Sequence, residues 1–306
     1  MGPCRKEEPQ KMKLPENTNL PFFAYGLFKP GELAYFQLHE YVQVTSPALA
    51  RGNLLVRDGL PIIGPDSQGS VKGTLLTFHP DKAVAAYNRI SDMEPKKHYE
   101  WQTEQIGQIS ANVLFGLNPE KGSESCPPEW DGWKDPLFDE ALDVVEEVHK
   151  EVSESTKRDS YKLLFKLQMA YLLLWVSIER YLSLRYRLGR DATKKVAHLA
   201  KESGFAKSLK LHVKDKRVVH PAHEPGRELV LDPSVPEEAV DYYYQVRCNV
   251  THRGKSGVSD HDYEILESSL RELLAIFKDV LKAAKEDAEK LKLKVNESRK
   301  LDQMDC

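Results

Sequence analysis

The run Leu167-Gln-Met-Ala-Tyr-Leu-Leu-Leu-Trp-Val-Ser-Ile178 lies in the second half of the chain and decides the fold of that half. It belongs to a pattern in which apolar residues recur every three or four positions, and the same spacing returns closer to the C-terminus. The two stripes are Leu164, Leu167, Tyr171, Leu174, Trp175, Ile178 and Leu182, and then Leu266, Leu270, Leu273, Leu274, Phe277 and Leu281. This spacing indicates helix faces directed at a core. With shorter helices expected at 138–152 and 191–203, it predicts a four- or five-helix bundle.

The same run is too short to cross a membrane. It is bounded by Lys166 and Glu179, whereas a membrane-spanning helix needs about 20 consecutive apolar residues. The N-terminus also lacks the apolar core of a signal peptide. We therefore expect a buried helix, no membrane partner and a cytoplasmic location.

Composition limits the classes of function. The chain has 306 residues, which is enough for two domains with separate cores. Its formal net charge of −3 excludes a globally basic coat for nucleic acid, so any contact with RNA must be local. The four cysteines are far apart and form no C-x-x-C pair, so neither a zinc site nor a disulfide framework is predicted.

A change of pattern divides the chain. Short strands and turns precede Asn118, long helices follow Pro136, and proline and glycine punctuate the polar stretch between them. The sequence therefore predicts an α+β protein. The expected segments are a tail at 1–20, a domain of short strands at 21–118, a linker at 119–136, an all-α domain at 137–290 and a charged tail at 291–306.

Near the C-terminus, the stretch Tyr242-Tyr-Tyr-Gln-Val-Arg-Cys-Asn-Val-Thr-His-Arg-Gly-Lys255 ends an amphipathic helix. The helix is expected to begin at a capping box formed by Ser234 and Glu237. Five residues at about 100° each separate Arg247 and His252 by about 140° around the axis and about 7.5 Å along it. The two side chains would flank a cleft rather than touch, and a second molecule could complete that cleft.

These residue types suit cleavage of an RNA phosphodiester. The 2′-hydroxyl attacks its neighbouring phosphate once a base takes its proton, and the departing 5′-oxygen needs a proton. A histidine, with a pKa of about 6.5, can serve either transfer, and an arginine offers permanently charged donors to phosphate oxygens. The alternative is that Arg247, His252, Arg253 and Lys255 are surface cations complementing the carbonyls at a helix C-terminus.

The Arg-x4-His arrangement, followed by Arg-Gly-Lys and placed between long apolar helices, resembles the HEPN (higher eukaryotes and prokaryotes nucleotide-binding) superfamily of helical ribonucleases. The resemblance covers about residues 136–290. It implies metal-independent RNA cleavage by two protomers that bring their motifs together across a dimer interface. Arg247 and His252 match the motif residue by residue. Many members carry a polar residue directly after the arginine, where this chain has Cys248 followed by Asn249.

The resemblance extends the set of candidate residues. Asn249 is a further catalytic candidate, and Arg253 and Lys255 are candidates for binding RNA. Helical ribonucleases of this type often carry an acidic residue on the facing helix, and Glu179 is the candidate for orienting Arg247 or His252. The alternative for Glu179 and its neighbour Arg180 is a boundary salt bridge, because charges seldom lie among apolar residues without a partner.

The loop at 213–236 is rich in cations. It contains Lys214, Lys216, Arg217, His220, His223 and Arg227. It is either a basic loop near bound RNA or plain surface. The pair His220 and His223 has no third ligand in a suitable context, so no metal site is predicted.

The first half carries an independent signal. The stretch Phe22-Phe-Ala-Tyr-Gly-Leu-Phe-Lys-Pro-Gly31 predicts a strand that runs into a glycine-flanked loop, and a helix is expected at 32–41. Such a loop can direct backbone N–H groups at an anion. Further strands follow, then a helix near 83–90, and then Glu94 and Tyr99.

In this order the motifs resemble the gamma-glutamylcyclotransferase-like (AIG2-like) fold over about residues 21–118. The resemblance implies a small mixed β-barrel whose loop binds a gamma-glutamyl group, with Tyr25, Gly26, Leu27, Phe28 and Tyr99 as the ligand-binding candidates. Active members use a glutamate after the short helix to move a proton while the substrate amine attacks its own gamma-carbonyl, and Glu94 falls at that position. Leu27 and Phe28, together with Trp101, depart from the usual residues and would alter the pocket. The alternatives are an ordinary helix-end carboxylate at Glu94 and a tight turn at Tyr25 and Gly26.

Three functions follow from these patterns. The first is a homodimeric, metal-independent endoribonuclease whose N-terminal domain regulates it; such architectures resemble toxins or anti-phage effectors and would have RNA and an inhibitory protein as partners. The second is a gamma-glutamyl cyclotransferase with a helical dimerisation domain. The third is a non-catalytic ligand-sensing domain joined to an RNA- or protein-binding bundle. No cofactor is expected for any of the three.

Overall fold

The computed structural model describes residues 12–66, 68–94, 98–155, 161–186, 192–221, 224, 226–253 and 260–304. At 192–195, 252–253, 260 and 296–304 it describes the backbone only. The fold is mixed α+β, as predicted. It divides into two compact units, which we call the N-terminal unit (Met1–Trp133 with Ala288–Cys306) and the helical unit (Lys134–Asp287).

The N-terminal unit is built on one curled, half-barrel sheet. Its elements are β1 (Phe22–Ala24), β2 (Val42–Arg51), β3 (Asn53–Arg57), β4 (Leu60–Gly64), β5 (Ser70–Phe78), α1 (Ala83–Met93), β6 (Tyr99–Ile106), β7 (Ile109–Gly116) and β8 (Glu124–Ser125). The strand order is β2-β5-β1-β7-β4-β3-β8, with β6 paired to β7 outside this path. β1 is antiparallel to β5 and parallel to β7. It therefore lies inside the sheet, and all three of its residues are buried.

Helix α1 forms because small and apolar residues recur at helical spacing on one face. Ala83, Ala86, Tyr87 and Ile90 are all buried. The Tyr87 ring packs edge-on against Phe78 of the sheet, with ring centroids 5.3 Å apart. The helix ends at Glu94, whose backbone N–H donates to the carbonyl of Ile90. This contact fixes where the chain leaves the helix and therefore where Glu94 lies.

The helix expected at 32–41 is absent, and the chain forms two short 3-10 turns at Tyr35–Gln37 and His39–Tyr41 instead. Leu33, Ala34 and Tyr35 are consecutive, and all three are buried. A helix that packs one face on a domain exposes its opposite face, whereas burial here runs without a break over residues 31–35. Packing of this loop therefore overrides its helical tendency.

The segment expected as a linker at 119–136 folds onto the N-terminal unit along most of its length. β8 pairs with β3, and the Trp133 indole N–H donates to the carbonyl of Gly31 over 2.8 Å. Lys29, which is buried, donates from Nζ to the carbonyl of Trp130 over 2.8 Å. These contacts hold the loop that follows β1 from outside the sheet.

Glu32 in this region provides a test by pH. Burial raises the pKa of its carboxyl from 4.5 to about 7, although Lys29 and the Gly132 N–H partly oppose the shift. Because the folded unit then binds a proton more tightly than the unfolded chain, its stability is expected to fall as the pH rises from 4.5 to about 7. Thermal unfolding across this range checks the expectation. The variant Glu32→Gln should lose this dependence of stability on pH, and the exposed control Glu40→Gln should keep it. If the dependence survives in Glu32→Gln, the expectation is wrong.

The helical unit begins with α2 (Glu140–Glu154) and α3 (Tyr161–Tyr186), followed by α4 (Ala192–Leu199) and α5 (Phe205–His212). A short hairpin of β9 (Arg217–Val219) and β10 (Leu229–Leu231) precedes α6 (Pro236–Arg253), and α7 (Asp260–Met304) follows. The apolar face predicted for α3 is buried throughout, and the one predicted for α7 is buried except at Leu281. The hairpin and α5 were not predicted.

Among the described residues, α3 is the one helix whose length and composition would allow it to cross a membrane. Half of its most apolar window is buried inside the unit. The Tyr171 hydroxyl at the centre of the helix donates to the backbone carbonyl of Tyr243 on α6 over 2.8 Å. The helix is therefore partly buried in the helical unit and hydrogen-bonded to α6.

Candidate functional site

Helix α6 carries the Arg-x4-His motif and ends at Arg253, close to the expected stop. Its start differs from the expected capping box. The Ser234 hydroxyl and its backbone N–H both donate to the Asp232 carboxylate, over 2.5 and 2.8 Å. The Val235 N–H bonds to the carbonyl of Asp232, so a turn at Asp232 leads the chain into the helix.

Arg247 lies on the side of α6 that meets α3. Its Nη2 is 3.6 Å from Oε1 of Glu179, so the two residues form an ion pair. About a quarter of each side chain is exposed, at 26% for Arg247 and 27% for Glu179. The predicted contact between these helices is therefore present for Arg247.

Arg180, the neighbour of Glu179, has a different partner. Its Nε donates to Oδ2 of Asp135 over 2.7 Å. Asp135 also accepts from the N–H of Leu137 and so caps the short turn ahead of α2. Arg180 thus forms the boundary salt bridge considered for the pair. The contact between Glu179 and Arg247 fits both that interpretation and the orienting role.

Asn249 is engaged in a contact that the sequence did not predict. Its side-chain amide donates to the backbone carbonyl of His220 over 3.0 Å, and its carbonyl accepts from Gln245 over 3.0 Å. The residue therefore ties α6 to the segment between β9 and β10. This contact gives Asn249 a structural role beside its predicted catalytic one.

The remaining residues of the motif are described in part. His252 and Arg253 occupy the last turn of α6, and their side chains lie outside the described residues. Lys255 and His223 lie outside the described residues altogether.

Several cations of the loop at 213–236 are paired with acids. Lys216 forms an ion pair with Asp232, and Arg217 forms one with Glu272. The Asp232 pKa is lowered to about 2 by hydrogen bonds from Lys216 and Ser234. Arg227 lies 3.7 Å from Glu224. These contacts neutralise much of the positive charge, so the loop fits a scaffold for α6 better than a basic RNA-binding surface.

The N-terminal unit contains a pocket that opens where β1 runs into its loop. Tyr25, Gly26, Leu27, Phe28, Glu94 and Tyr99 line it together, so every candidate named for this domain meets in one place. The remaining lining residues are Phe22, Ala24, Leu60, Pro61 and Leu114. The space among them is about 330 Å³, including the part open to solvent.

Hydrogen bonds fix two tyrosines in this pocket. The Tyr25 hydroxyl donates to the carbonyl of Leu114 over 2.5 Å, and the Tyr99 hydroxyl donates to the carbonyl of Pro61 over 2.9 Å. Burial, with the nearby Glu94 carboxylate as a second cause, raises the pKa of Tyr25 far above its usual range. The Tyr25 hydroxyl therefore stays protonated, and its oxygen can still accept a hydrogen bond.

Gly26 and Glu94 complete the geometry. A Cβ on Gly26 would lie 2.5 Å from Cγ of Pro61, so the close approach of the loop to β4 requires glycine. Glu94 is 9% exposed, and within the described part of the chain it is the one charged residue of the lining. Trp101 is absent from the lining. Its ring packs edge-on against those of Phe22 and Tyr87, at 5.7 and 5.4 Å, so it belongs to the core.

Some pocket and site residues were missed in the sequence. Leu114 lines the pocket because β7 lies parallel to β1. This pairing joins residues that are distant in sequence, so no local pattern predicts it. Tyr244 lies one turn before Arg247 on α6, and its ring is 5.5 Å below the guanidinium. Its spacing of three residues could have identified it.

The described residues contain no group of three or more His, Cys, Asp or Glu side chains that could hold a metal ion. No protein-family model, curated protein or solved structure matches the chain.

Proposed function

We propose that the protein is a metal-independent endoribonuclease that acts as a homodimer through Arg247 and His252. In this proposal the helical unit forms a four- or five-helix bundle of the HEPN type, and the N-terminal unit is a regulatory domain. Arg253 and Lys255 bind RNA. The enzyme works in the cytoplasm as a toxin or anti-phage effector held in check by an inhibitory protein, and its free thiols Cys126 and Cys248 stay reduced there.

One observation carries the proposal. Arg247 pairs with Glu179 at 3.6 Å, which is too long for a hydrogen bond. Nε of Arg247 and Oε1 of Glu179 are both buried without a hydrogen-bond partner. Unsatisfied buried polar atoms are costly, and a ligand that supplies the missing partner is one explanation for them. A phosphate oxygen is the acceptor that such a guanidinium lacks.

The reaction follows from these groups. The 2′-oxygen bonds to phosphorus as a base takes its proton, and the bond from phosphorus to the 5′-oxygen breaks as an acid protonates that oxygen. The products are a 2′,3′-cyclic phosphate and a 5′-hydroxyl. Arg247 stabilises the charge on the phosphate oxygens. One His252 in each protomer provides a base and an acid when two motifs face each other.

The exposed face of α3 supports the dimer. Tyr161, Phe165, Met169, Leu172, Val176 and Glu179 follow helical spacing and share one face, which we call the α3 stripe. Met169 is 70% exposed, and Phe165 and Val176 are 48% and 50% exposed. Exposed apolar patches of this kind are typical of interaction sites. The stripe leads directly to Glu179, so a second copy bound there would stand beside Arg247.

The first test is cleavage of mixed cellular RNA by the purified full-length protein in excess EDTA, with the product ends identified. Discrete fragments with cyclic-phosphate ends are expected. Absence of cleavage by well-folded, dimeric protein would favour the non-catalytic binding module instead.

A second function is favoured by the N-terminal pocket, in which Glu94 meets the loop residues Tyr25 to Phe28. We propose that this pocket binds a gamma-glutamyl-like ligand and that Glu94 moves a proton as the ligand amine nitrogen bonds to the gamma-carbonyl carbon. The bond from that carbon to the amide nitrogen then breaks, which releases 5-oxoproline and an amine. Tyr25 offers an acceptor oxygen to a ligand N–H group.

This second function is tested by incubating the protein with gamma-glutamyl peptides and gamma-glutamyl amines and detecting 5-oxoproline by mass spectrometry. Glu94→Gln is expected to reduce its formation by about 100-fold or more, because general acid–base groups typically contribute factors of about 10² to 10⁴. The exposed control Glu100→Gln should match the wild type. Equal turnover by Glu94→Gln and wild type would exclude Glu94 as the proton carrier.

A further inference from the structure

The Arg247 guanidinium is held in place without the use of its hydrogen-bond donors. Among the described residues it donates no hydrogen bond, and its nearest acid, Glu179, is 3.6 Å away. The attraction to Glu179 is therefore Coulombic and has little directionality. A long side chain held by that attraction alone would sample several rotamers. Something else must define its direction.

The Tyr244 ring supplies this second contact. Cζ of Arg247 lies 5.5 Å from the centroid of the ring, which is within the range of a cation–π interaction. Tyr244 precedes Arg247 by three positions on α6, so the two side chains are neighbours on the helix surface. The ring itself is fixed, because it packs edge-on against Trp175 of α3 with centroids 5.5 Å apart and Trp175 is buried.

We propose that Tyr244 is a positioning residue for Arg247, a role that depends on the ribonuclease function proposed above. Trp175 anchors the tyrosine ring to the core, the ring supports the guanidinium, and Glu179 fixes the charge from the facing helix. A cation–π contact uses the face of the ring and consumes no N–H donor. The guanidinium thus keeps its donors for two oxygens of one phosphate while its direction is already set.

Pre-organisation of this kind acts on the rate. A positively charged group that is already aimed at the phosphate costs no reorganisation as charge develops in the transition state. Removal of the ring is therefore expected to lower kcat more than it raises KM, since small misplacements of a charged group matter most in the transition state. The phenol oxygen has no part in this role, so phenylalanine should serve as well as tyrosine.

The test compares Tyr244→Phe with Tyr244→Leu in the full-length protein. Cleavage of RNA in EDTA should fall about 3- to 30-fold in kcat/KM for Tyr244→Leu, the range that cation–π energies allow. Tyr244→Phe should stay within about twofold of the wild type. If Tyr244→Leu does not fold, Tyr244→Met takes its place, because methionine fills the space beside Trp175 without a ring.

A second readout is independent of turnover. Binding of a fluorescein-labelled 2′-O-methyl oligoribonucleotide, which cannot be cleaved, is measured against salt concentration. For a single strand, loss of one phosphate contact lowers the slope of log K against log salt concentration by about 0.7 in magnitude. That reduction is expected for Arg247→Ala. A smaller reduction is expected for Tyr244→Leu, which keeps the arginine charge but not its direction, and Tyr244→Phe should keep the wild-type slope.

The outcomes separate this inference from the proposed function. If Arg247→Ala changes slope and rate but Tyr244→Leu changes neither, Tyr244 has no positioning role and the ribonuclease proposal stands. If Tyr244→Phe is as defective as Tyr244→Leu, the hydroxyl rather than the ring is responsible, and the inference fails. Wild-type protein that neither binds nor cleaves RNA overturns both.

Discussion

Replacing Arg247 with alanine is expected to reduce RNA cleavage by about 100-fold or more and to leave the helical unit folded. Loss of one donor to the developing charge of a transition state typically costs factors of about 10² to 10³. The effect on folding should be small, because the guanidinium is partly exposed and pairs with a single acid at 3.6 Å. Single-turnover cleavage in EDTA and thermal unfolding measure the two effects.

The same experiment includes His252→Ala, for which the expected loss is about 10² to 10⁴. His261→Ala is the matched control, since His261 is an exposed histidine at the start of the next helix. Full activity in both Arg247→Ala and His252→Ala would place the cleavage elsewhere or attribute it to a contaminant. Arg247→Lys separates charge from geometry. Because an ammonium group cannot form two parallel bonds to one phosphate, this variant should recover only a part of the rate.

The residues that the sequence located correctly are those with a local periodicity. The apolar residues of α3 from Leu164 to Leu182 repeat at helical spacing, and this face of the helix is buried along its whole length. Glu179 follows the apolar run directly and is only 27% exposed, and a charge in such a place requires a partner. The partner is Arg247, a contact that fits both an orienting role and a boundary salt bridge. In the N-terminal unit a local motif, a strand running into a glycine-flanked loop, located the rim of the pocket.

The features that the sequence did not reveal depend on long-range contacts. Residues 32–41 have a composition compatible with a helix, but burial of Leu33, Ala34 and Tyr35 imposes turns. In the sequence alone, the cations near the β9–β10 hairpin suggest a nucleic-acid-binding surface, because their acidic partners are not visible there. Arg217 is paired with Glu272 on α7, which is distant in sequence. No pattern within the loop reports that pairing.

Asn249 makes contacts that the local motif did not reveal. Its position two residues after Arg247 made it a catalytic candidate. The structure engages both ends of its amide, with Gln245 on one side and the His220 carbonyl on the other. The amide therefore helps to hold two elements together, and its catalytic role stays a prediction. Tyr244 precedes Arg247 by three residues, and this spacing indicates that the two side chains are neighbours on the helix. It was overlooked because an aromatic residue in an amphipathic helix usually belongs to the core.

Replacing Met169 with glutamate is expected to dissociate the homodimer and, with it, to remove most of the RNA cleavage. Met169 is the most exposed apolar residue of the α3 stripe. In a two-fold dimer a substitution appears twice in the interface. A charge at the centre of an apolar contact is desolvated without a partner, so the dissociation constant should rise by at least about 30-fold, the size of a hot-spot effect. Sedimentation equilibrium measures this directly.

The control for this variant is Leu211→Glu, which introduces the same charge at an exposed leucine of α5, away from the stripe. It should stay dimeric and active. Activity of Met169→Glu should return as its concentration is raised towards the new dissociation constant, because mass action restores the shared cleft. Recovery of this kind distinguishes a lost dimer from a damaged site, since damage within each protomer does not respond to concentration. A Met169→Glu protein that remains dimeric and fully active would mean that the stripe near Glu179 is not the dimer interface, and a second copy would then have to approach Arg247 from another side.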